Sequence, residues 1–323
     1  MDNGKYYPLG EKVAIRSAFG PAFLELARDN RKLVVVTADL GGSLNLVKFG
    51  EEYPDRYFNC GVAETNMIGI CAGLAITGYT PFAVTFGSFL GRTMDHVRQS
   101  VGHNRVNVKI VGSHGGVSNA PDGPSAHALE DLAMFRALPD IAVVVVADAN
   151  QVPKAVAAAA DHPTSVYLRL YREPLPVFTD ETTPFQIGKA NVMRAGTDVT
   201  VVACGPHVGL CLEVADEMTP ERSIEVIDCH TVKPIDAPTI ISSAGRTGAV
   251  VTVEDHSIYG GLGSAVAEVL AENRPTPMKR VGLTAFATSG KYAEVIDAAG
   301  IGKDDVKRAI AAVVAAKAEG ARR

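Results

Sequence analysis

Residues 141–148 read IAVVVVAD, seven apolar side chains running straight into an aspartate. The run shows no alternation, so both faces of the strand it predicts are buried, as in the middle of a parallel sheet. The stretch that follows, NQVPKAVAAAAD (150–161), carries its apolar residues at helical spacing. Outward from this pair the same grammar repeats. LVVVTADL (33–40), FAVTF (82–86), VNVKIVGS (106–113) and SVYLRL (165–170) are short Val/Ile-rich runs. Between them lie the helical patterns KVAIRSAFGPAFLELARD (12–29), ETNMIGICAGLAIT (64–77) and RTMDHVRQSVG (92–102). Strands alternating with helices predict a doubly wound α/β layer.

The stretch REPLPVFTDETTPFQIGKANV (172–192) interrupts the rhythm with prolines and clustered Asp, Glu and Thr. A shorter α/β series then follows: DVTVVACG (198–205), SIEVIDCHTV (223–232), GAVVTVED (248–255) and MKRVGL (278–283). The chain is therefore expected to form two doubly wound domains, residues 1–175 and 191–323, with 176–190 as the linker. The alanine-rich tail from about 304 predicts a terminal helix whose basic end, Lys317 to Arg323, complements the helix dipole.

The chain has 323 residues, enough for two cores, and 31 Lys+Arg against 36 Asp+Glu give a net charge of −5. Mild acidity argues against a nucleic-acid partner held through phosphates. No apolar run reaches the ~20 residues of a membrane span, and the opening MDNGKYYPLGEK does not read as a signal peptide. The five cysteines form no CxxC pair, which fits reduced thiols in the cytoplasm. The eight histidines are scattered, and no metal cluster stands out.

Phosphate-cradling signatures are absent. There is no GxxxxGK[ST], and YGGLGSAVAEVL (259–270) alone is a weak signal, since glycines at a strand–helix turn usually serve close packing. The informative block is GVAETNMIGICAGLA (61–75). A strand end, Phe58–Asn59–Cys60, turns into a helix with a single carboxylate, Glu64, followed almost wholly by apolar or small residues. A carboxylate in so dry a setting is expected to have a raised pKa and to share a proton at neutral pH. The plainer reading is a helix N-terminal charge that complements the dipole.

This block resembles the glutamate segment of the pyrimidine-binding domain of thiamine diphosphate enzymes. More specifically, the chain resembles the C-terminal half of transketolase. ADLGGSLNL, TFGSFLGRTMDHVRQS, GSHGGVSNAPDGPSAHALEDLAMFR, LYREP, TVKPID and VEDHSIYGGLGSAV carry the resemblance, in family order from about residue 10 to 315. The family's GDG…N motif, which grips Mg²⁺ and the cofactor diphosphate, has no counterpart here. The resemblance therefore implies the second subunit of a split transketolase, with Mg²⁺ ligands on an N-terminal partner subunit. It also implies self-association to at least a dimer, and a heterotetramer with that partner.

Residue by residue, Glu64 matches the glutamate that hydrogen-bonds N1′ of the aminopyrimidine and shares a proton with it. Phe89 matches the aromatic that stacks on the pyrimidine, Phe86 a second aromatic of that pocket, and Arg92 a position that is tyrosine in bacterial and yeast enzymes. Arg16, Ser43, His114 and Arg172 match the phosphate-end cluster, where arginine forks suit phosphate oxygens. Asp122 matches the acid that contacts the substrate hydroxyl beside the reacting carbonyl. Core packing for the phenylalanines, surface positions for the arginines and a turn-forming role for Asp122 are the plainer alternatives. A family histidine four residues after that aspartate is replaced by Ala126, with His127 where glutamine is usual; this follows the animal-type pattern and leaves the donor sugar open. The implied function is transfer of a two-carbon ketol unit between sugar phosphates. A 2-oxo acid dehydrogenase β-type subunit and a non-catalytic subunit that kept the fold are the rival readings.

Overall fold

The computed structural model describes residues 6–320. A short strand β1 (Lys12–Ala14) leads through a 3₁₀ turn into the helix Phe19–Asp29. The first large sheet then takes β2 (Leu33–Thr37), β3 (Tyr57–Asn59), β4 (Thr80–Phe86), β5 (Lys109–Ser113), β6 (Ile141–Val145) and β7 (Ser165–Arg169), all mutually parallel. Their order across the sheet is β6-β7-β5-β4-β2-β3. Every residue of β2, β5, β6 and β7 is buried, as the unbroken apolar runs predict. Each Val or Leu so buried contributes about 1.5–3 kcal/mol relative to exposure. Phe23 anchors one face, meeting Phe49 and Phe82 edge-on, each at 4.9 Å.

The stretch 172–192 is more ordered than a plain connector. β8 (Pro174–Pro176) pairs antiparallel with β1, and β9 (Asn191–Arg194) forms an antiparallel edge on the second sheet. That sheet continues with β10 (Val199–Ala203), β11 (Ile224–Asp228), β13 (Val250–Ser257) and β14 (Met278–Leu283), in the order β14-β13-β10-β11-β9. The run SIEVIDCHTV, read above as one strand, is two. After β11 the chain crosses over, and β12 (Thr231–Lys233) adds an antiparallel seventh strand to the first sheet beside β6. Apolar content marked the run as strand; which sheet each half joins is a matter of long-range pairing.

A buried arginine, ion-paired within the first half, also reaches the second. Arg169 Nε and Nη2 donate to the two carboxylate oxygens of Asp131 at 2.8 and 3.0 Å. Its other hydrogens reach the Ala128 carbonyl, the Tyr171 hydroxyl and, from the second half, the Asp255 carbonyl at 2.9 Å. With every donor matched, the guanidinium is tolerated in the core; losing one partner of such a pair typically costs about 3–5 kcal/mol. The tail is helical over Lys303–Gly320. Lys317 donates to the Thr247 carbonyl at 2.6 Å, so it caps the end of a neighbouring helix, Ala237–Thr247; residues 321–323 of the basic end lie outside the described residues. All five cysteines are unpaired, and no helix among the described residues is long and apolar enough to cross a membrane.

Candidate active site

In a parallel sheet every strand runs out at the same edge, and the loops that leave it converge there. Ser43 follows β2, Glu64 follows β3, Phe86 ends β4 with Phe89 and Arg92 just beyond it, His114 to Asp122 follow β5, and Arg172 follows β7. Residues far apart in the chain thus meet because their strands are neighbours. Arg16, from the turn after β1, completes the group.

Glu64 is the first residue of the helix Glu64–Ile76 and is 3% exposed. A charge shares this buried position: Arg92 Nη1 stands 3.5 Å from Glu64 Oε2. The Arg92 guanidinium also lies 5.5 Å from the centre of the Phe89 ring. Phe86 and Phe89 stack at 5.4 Å with 23° between their planes, and Phe86 stacks on His114 at 3.7 Å. Glu64, Arg92, Phe89, Phe86 and His114 therefore form one continuous wall, with a carboxylate at one end and an imidazole at the other.

His114 has φ +58°, a left-handed backbone that a non-glycine residue adopts only when its surroundings hold it there. Ser113 Oγ lies 2.9 Å from its Nδ1. Burial, and then the positive charges of Arg16 and Arg172, push its pKa down to about 3. The ring is accordingly neutral at physiological pH. Burial, followed by the charge of Arg172, also lowers the pKa of Arg16. Two arginines that raise each other's electrostatic energy form a receptive place for a phosphate.

Arg16 donates from Nη1 to the Ser43 carbonyl, so the link to Ser43 runs through the backbone. Arg172 donates to Asn119 Oδ1 and stands 3.4 Å from Asp122 Oδ2. The family pattern places Arg172 and Asp122 at different parts of a sugar. Here they face each other, because β5 and β7 are adjacent and their loops touch. Asn119 and His127 escaped the sequence reading as site residues. Asn119 is fully buried, and its Nδ2 has no hydrogen-bond partner among the described residues; neither ring nitrogen of His127 has one. Burial lowers the pKa of His127, against the opposing pull of the Asn119 backbone and Asp122. The polar types within NAPDGPSAH were the available signal.

Comparison with known proteins places the chain. A family model described as the transketolase pyrimidine-binding domain matches residues 11–177, and one described as the transketolase C-terminal domain matches 188–306. A 6-deoxy-6-sulfo-D-fructose transketolase subunit of Clostridium sp. is 39% identical over 275 residues, 84% of this chain and 85% of its own. A subunit of the apulose-4-phosphate transketolase of Phocaeicola vulgatus is 38% identical over 275 residues, 84% of this chain and 88% of its own. The solved structure titled as a split gene transketolase, inactive β4 tetramer, superposes with a TM-score of 0.87 at 40% identity, covering 94% of this chain and 99% of that one. With both domain models matched in order, and relatives at nearly 40% identity over most of their length, the chain belongs to the transketolase family.

Proposed function

We propose that this chain is the C-terminal subunit of a cytoplasmic, thiamine diphosphate-dependent transketolase, moving a two-carbon ketol unit from a ketose phosphate to an aldose or aldose phosphate. The observation that carries the reading is the wall itself: a buried carboxylate, Glu64, beside stacked aromatic faces, with two arginines beyond them. That donor set fits the pyrimidine end of the cofactor, a flat heterocycle with a ring nitrogen. For the diphosphate end the family uses a GDG…N motif, and this sequence has none. We therefore assign the Mg²⁺ ligands to a partner subunit.

When bound, thiamine diphosphate supplies the carbanion chemistry. This chain's contribution is orientation and proton placement. Glu64 would hold a proton at N1′, with Arg92 as its neighbouring charge. Phe89 would stack on the ring, worth about 0.5–1.5 kcal/mol beyond the area it buries, with Phe86 as the second aromatic of the pocket. Arg16 and Arg172 would anchor the sugar phosphate, and neutral His114 would donate to it or to a hydroxyl. Asp122, held by Arg172, would read a hydroxyl near the reacting carbonyl.

Reconstitution tests the reading. The chain mixed with its diphosphate-domain partner, Mg²⁺ and cofactor should transfer ketol units within a panel of ketose phosphates. A panel is needed because the two bacterial relatives are named for different sugars. Alone, the chain should bind the cofactor weakly and turn nothing over, in keeping with the inactive tetramer named for the similar structure. Sub-micromolar, Mg²⁺-dependent binding by the isolated chain in calorimetry would overturn the split-enzyme reading.

A further inference from the structure

The loop that carries His114, Asn119 and Asp122 does not stand on its own domain alone. On the near side Gly116 exchanges hydrogen bonds with Ala128, N–H to O at 3.0 Å in each direction, and the Gly115 N–H reaches the Leu170 carbonyl at 2.9 Å. On the far side the Val117 N–H donates to both carboxylate oxygens of Asp255, at 2.9 and 3.1 Å. Asp255 belongs to β13, in the second sheet, and is fully buried. Val117 is the sole hydrogen-bond donor to that carboxylate among the described residues. Gly116 lies directly on it: with φ +59°, a methyl group there would come within 2.0–2.2 Å of the three carboxyl atoms. Further along the loop, the Gly290 N–H, also from the second half, reaches the Ala120 carbonyl at 3.2 Å.

We propose that Asp255 is a positioning residue for the substrate-facing loop: by holding the Val117 N–H it sets where His114, Asn119 and Asp122 stand. This rests on the transketolase reading for what the loop faces, but not for the contact itself. Burial raises the Asp255 pKa to about 7, so the site keeps an acid that is costly to ionise. A buried carboxylate whose bond goes to one loop amide is an expensive way to pack two domains. As a means of fixing a loop it is direct, since a displacement of about 1 Å at reacting groups can cost about a hundredfold in rate. Arg169 ties the arrangement to the first sheet by holding the Asp255 carbonyl and Asp131 together. Asp255 touches none of the residues proposed to meet substrate through its own side chain; it acts through the backbone between them.

The test compares Asp255→Ala, Asp255→Asn and Gly116→Ala in the full chain, alone and reconstituted with its partner. Hydrogen exchange of the chain alone should show residues 115–119 opening about tenfold faster in Asp255→Ala, with β6 and β10 unchanged, as local loosening predicts. In the complex, the KM for the ketose phosphate should rise about 10–100-fold, while C2 proton exchange of the bound cofactor, which depends on Glu64, stays as in the unmodified chain. Asp255→Asn keeps an acceptor oxygen for Val117 and should recover most of both losses. Gly116→Ala, which displaces the loop while leaving Asp255 in place, should reproduce the KM increase even if Asp255→Ala does not fold. Unchanged loop exchange in Asp255→Ala and Gly116→Ala would overturn the proposal, and so would a loosened loop with unaltered KM. If the unmodified complex transfers no ketol unit, the transketolase reading fails, and hydrogen exchange alone then decides whether Asp255 holds the loop.

Discussion

Glu64 is buried at a helix start with one guanidinium 3.5 Å away, a position open to two roles. Glu64→Gln separates them. The substitution keeps the size of the side chain and most of its hydrogen bonding but removes the shareable proton. If the carboxylate places a proton at N1′, ketol transfer should fall by about 10²–10⁴ while cofactor binding falls modestly. A dipole-balancing charge would instead cost at most ~1 kcal/mol of stability and leave the rate alone. C2 exchange of bound cofactor, followed by NMR in the reconstituted complex, distinguishes them, and exchange as fast as in the unmodified chain would sink the proton-placing role. His114 gives a second expectation at this scale. With a pKa held near 3 by burial, Arg16 and Arg172, its ring resonances should not move between pH 5 and 8. Removing one neighbouring charge, as in Arg16→Met, should raise the midpoint.

The helix Glu64–Ile76 is apolar around much of its circumference; one side packs on β4 and β2, and the other is bare. Gly69 and Gly73 have nothing within 4 Å of where a side chain would project, Ile76 is 70% exposed, and nearby Val62 is 76% exposed. A strip of small and aliphatic residues on a helix that begins with a catalytic candidate is the face we expect a second subunit to cover. Ile76→Asp should therefore weaken assembly without unfolding the chain, because the residue makes no core contact. Light scattering should show a smaller species at the same concentration; an unchanged oligomer would place the interface elsewhere. Other elements answer to distant pairing. RTMDHVRQSVG, periodic enough to read as one helix, is 3₁₀ up to Thr93, α over Met94–His96 and π over Val97–His103.

Over the whole molecule, burial has set histidines and acids against each other. His207, His230 and His256 are lowered to about 4, and His114 to about 3. Between those values and about 6.5 the unfolded chain binds protons that the folded one does not, so this part of the stability is complete above about pH 6.5 and is lost on acidification. Asp228, Glu254 and Asp255 are raised to about 7, chiefly by burial. Their contribution runs the other way: it is complete below about pH 4 and is lost as pH rises toward 7. Asp228 offers the cleanest test, since it accepts from Gln151 at 2.6 Å on one oxygen and leaves the other unpartnered among the described residues. Asp228→Asn should stabilise the chain little at pH 4. The advantage should then grow by up to about 1.4 kcal/mol per pH unit toward pH 7, as followed by urea unfolding across that range. A gain independent of pH would show that the side chain's charge does not set its cost.

The sequence by itself determined the layers. Runs such as LVVVT and IAVVV can only be buried strands, because their side chains have no polar face to turn toward water, and the intervening helical spacing leaves no alternative to a doubly wound sheet. It also singled out Glu64, the one carboxylate at the head of an otherwise apolar helix, whereas Phe86, Phe89, His114 and Asp122 stood out only through the resemblance to transketolase. What only the tertiary structure decided are the pairings between residues remote in the chain: Arg92 beside Glu64, Arg172 against Asp122, β12 crossing to the other sheet, and Asp255 under Val117. Apolar periodicity is a local property, set by the need of each segment to hide one face or both. Which loop amide a buried carboxylate accepts from, or which arginine neutralises an acid, depends on strand order and on close packing across 138 positions in the case of Asp255 and Val117, and no local pattern encodes it.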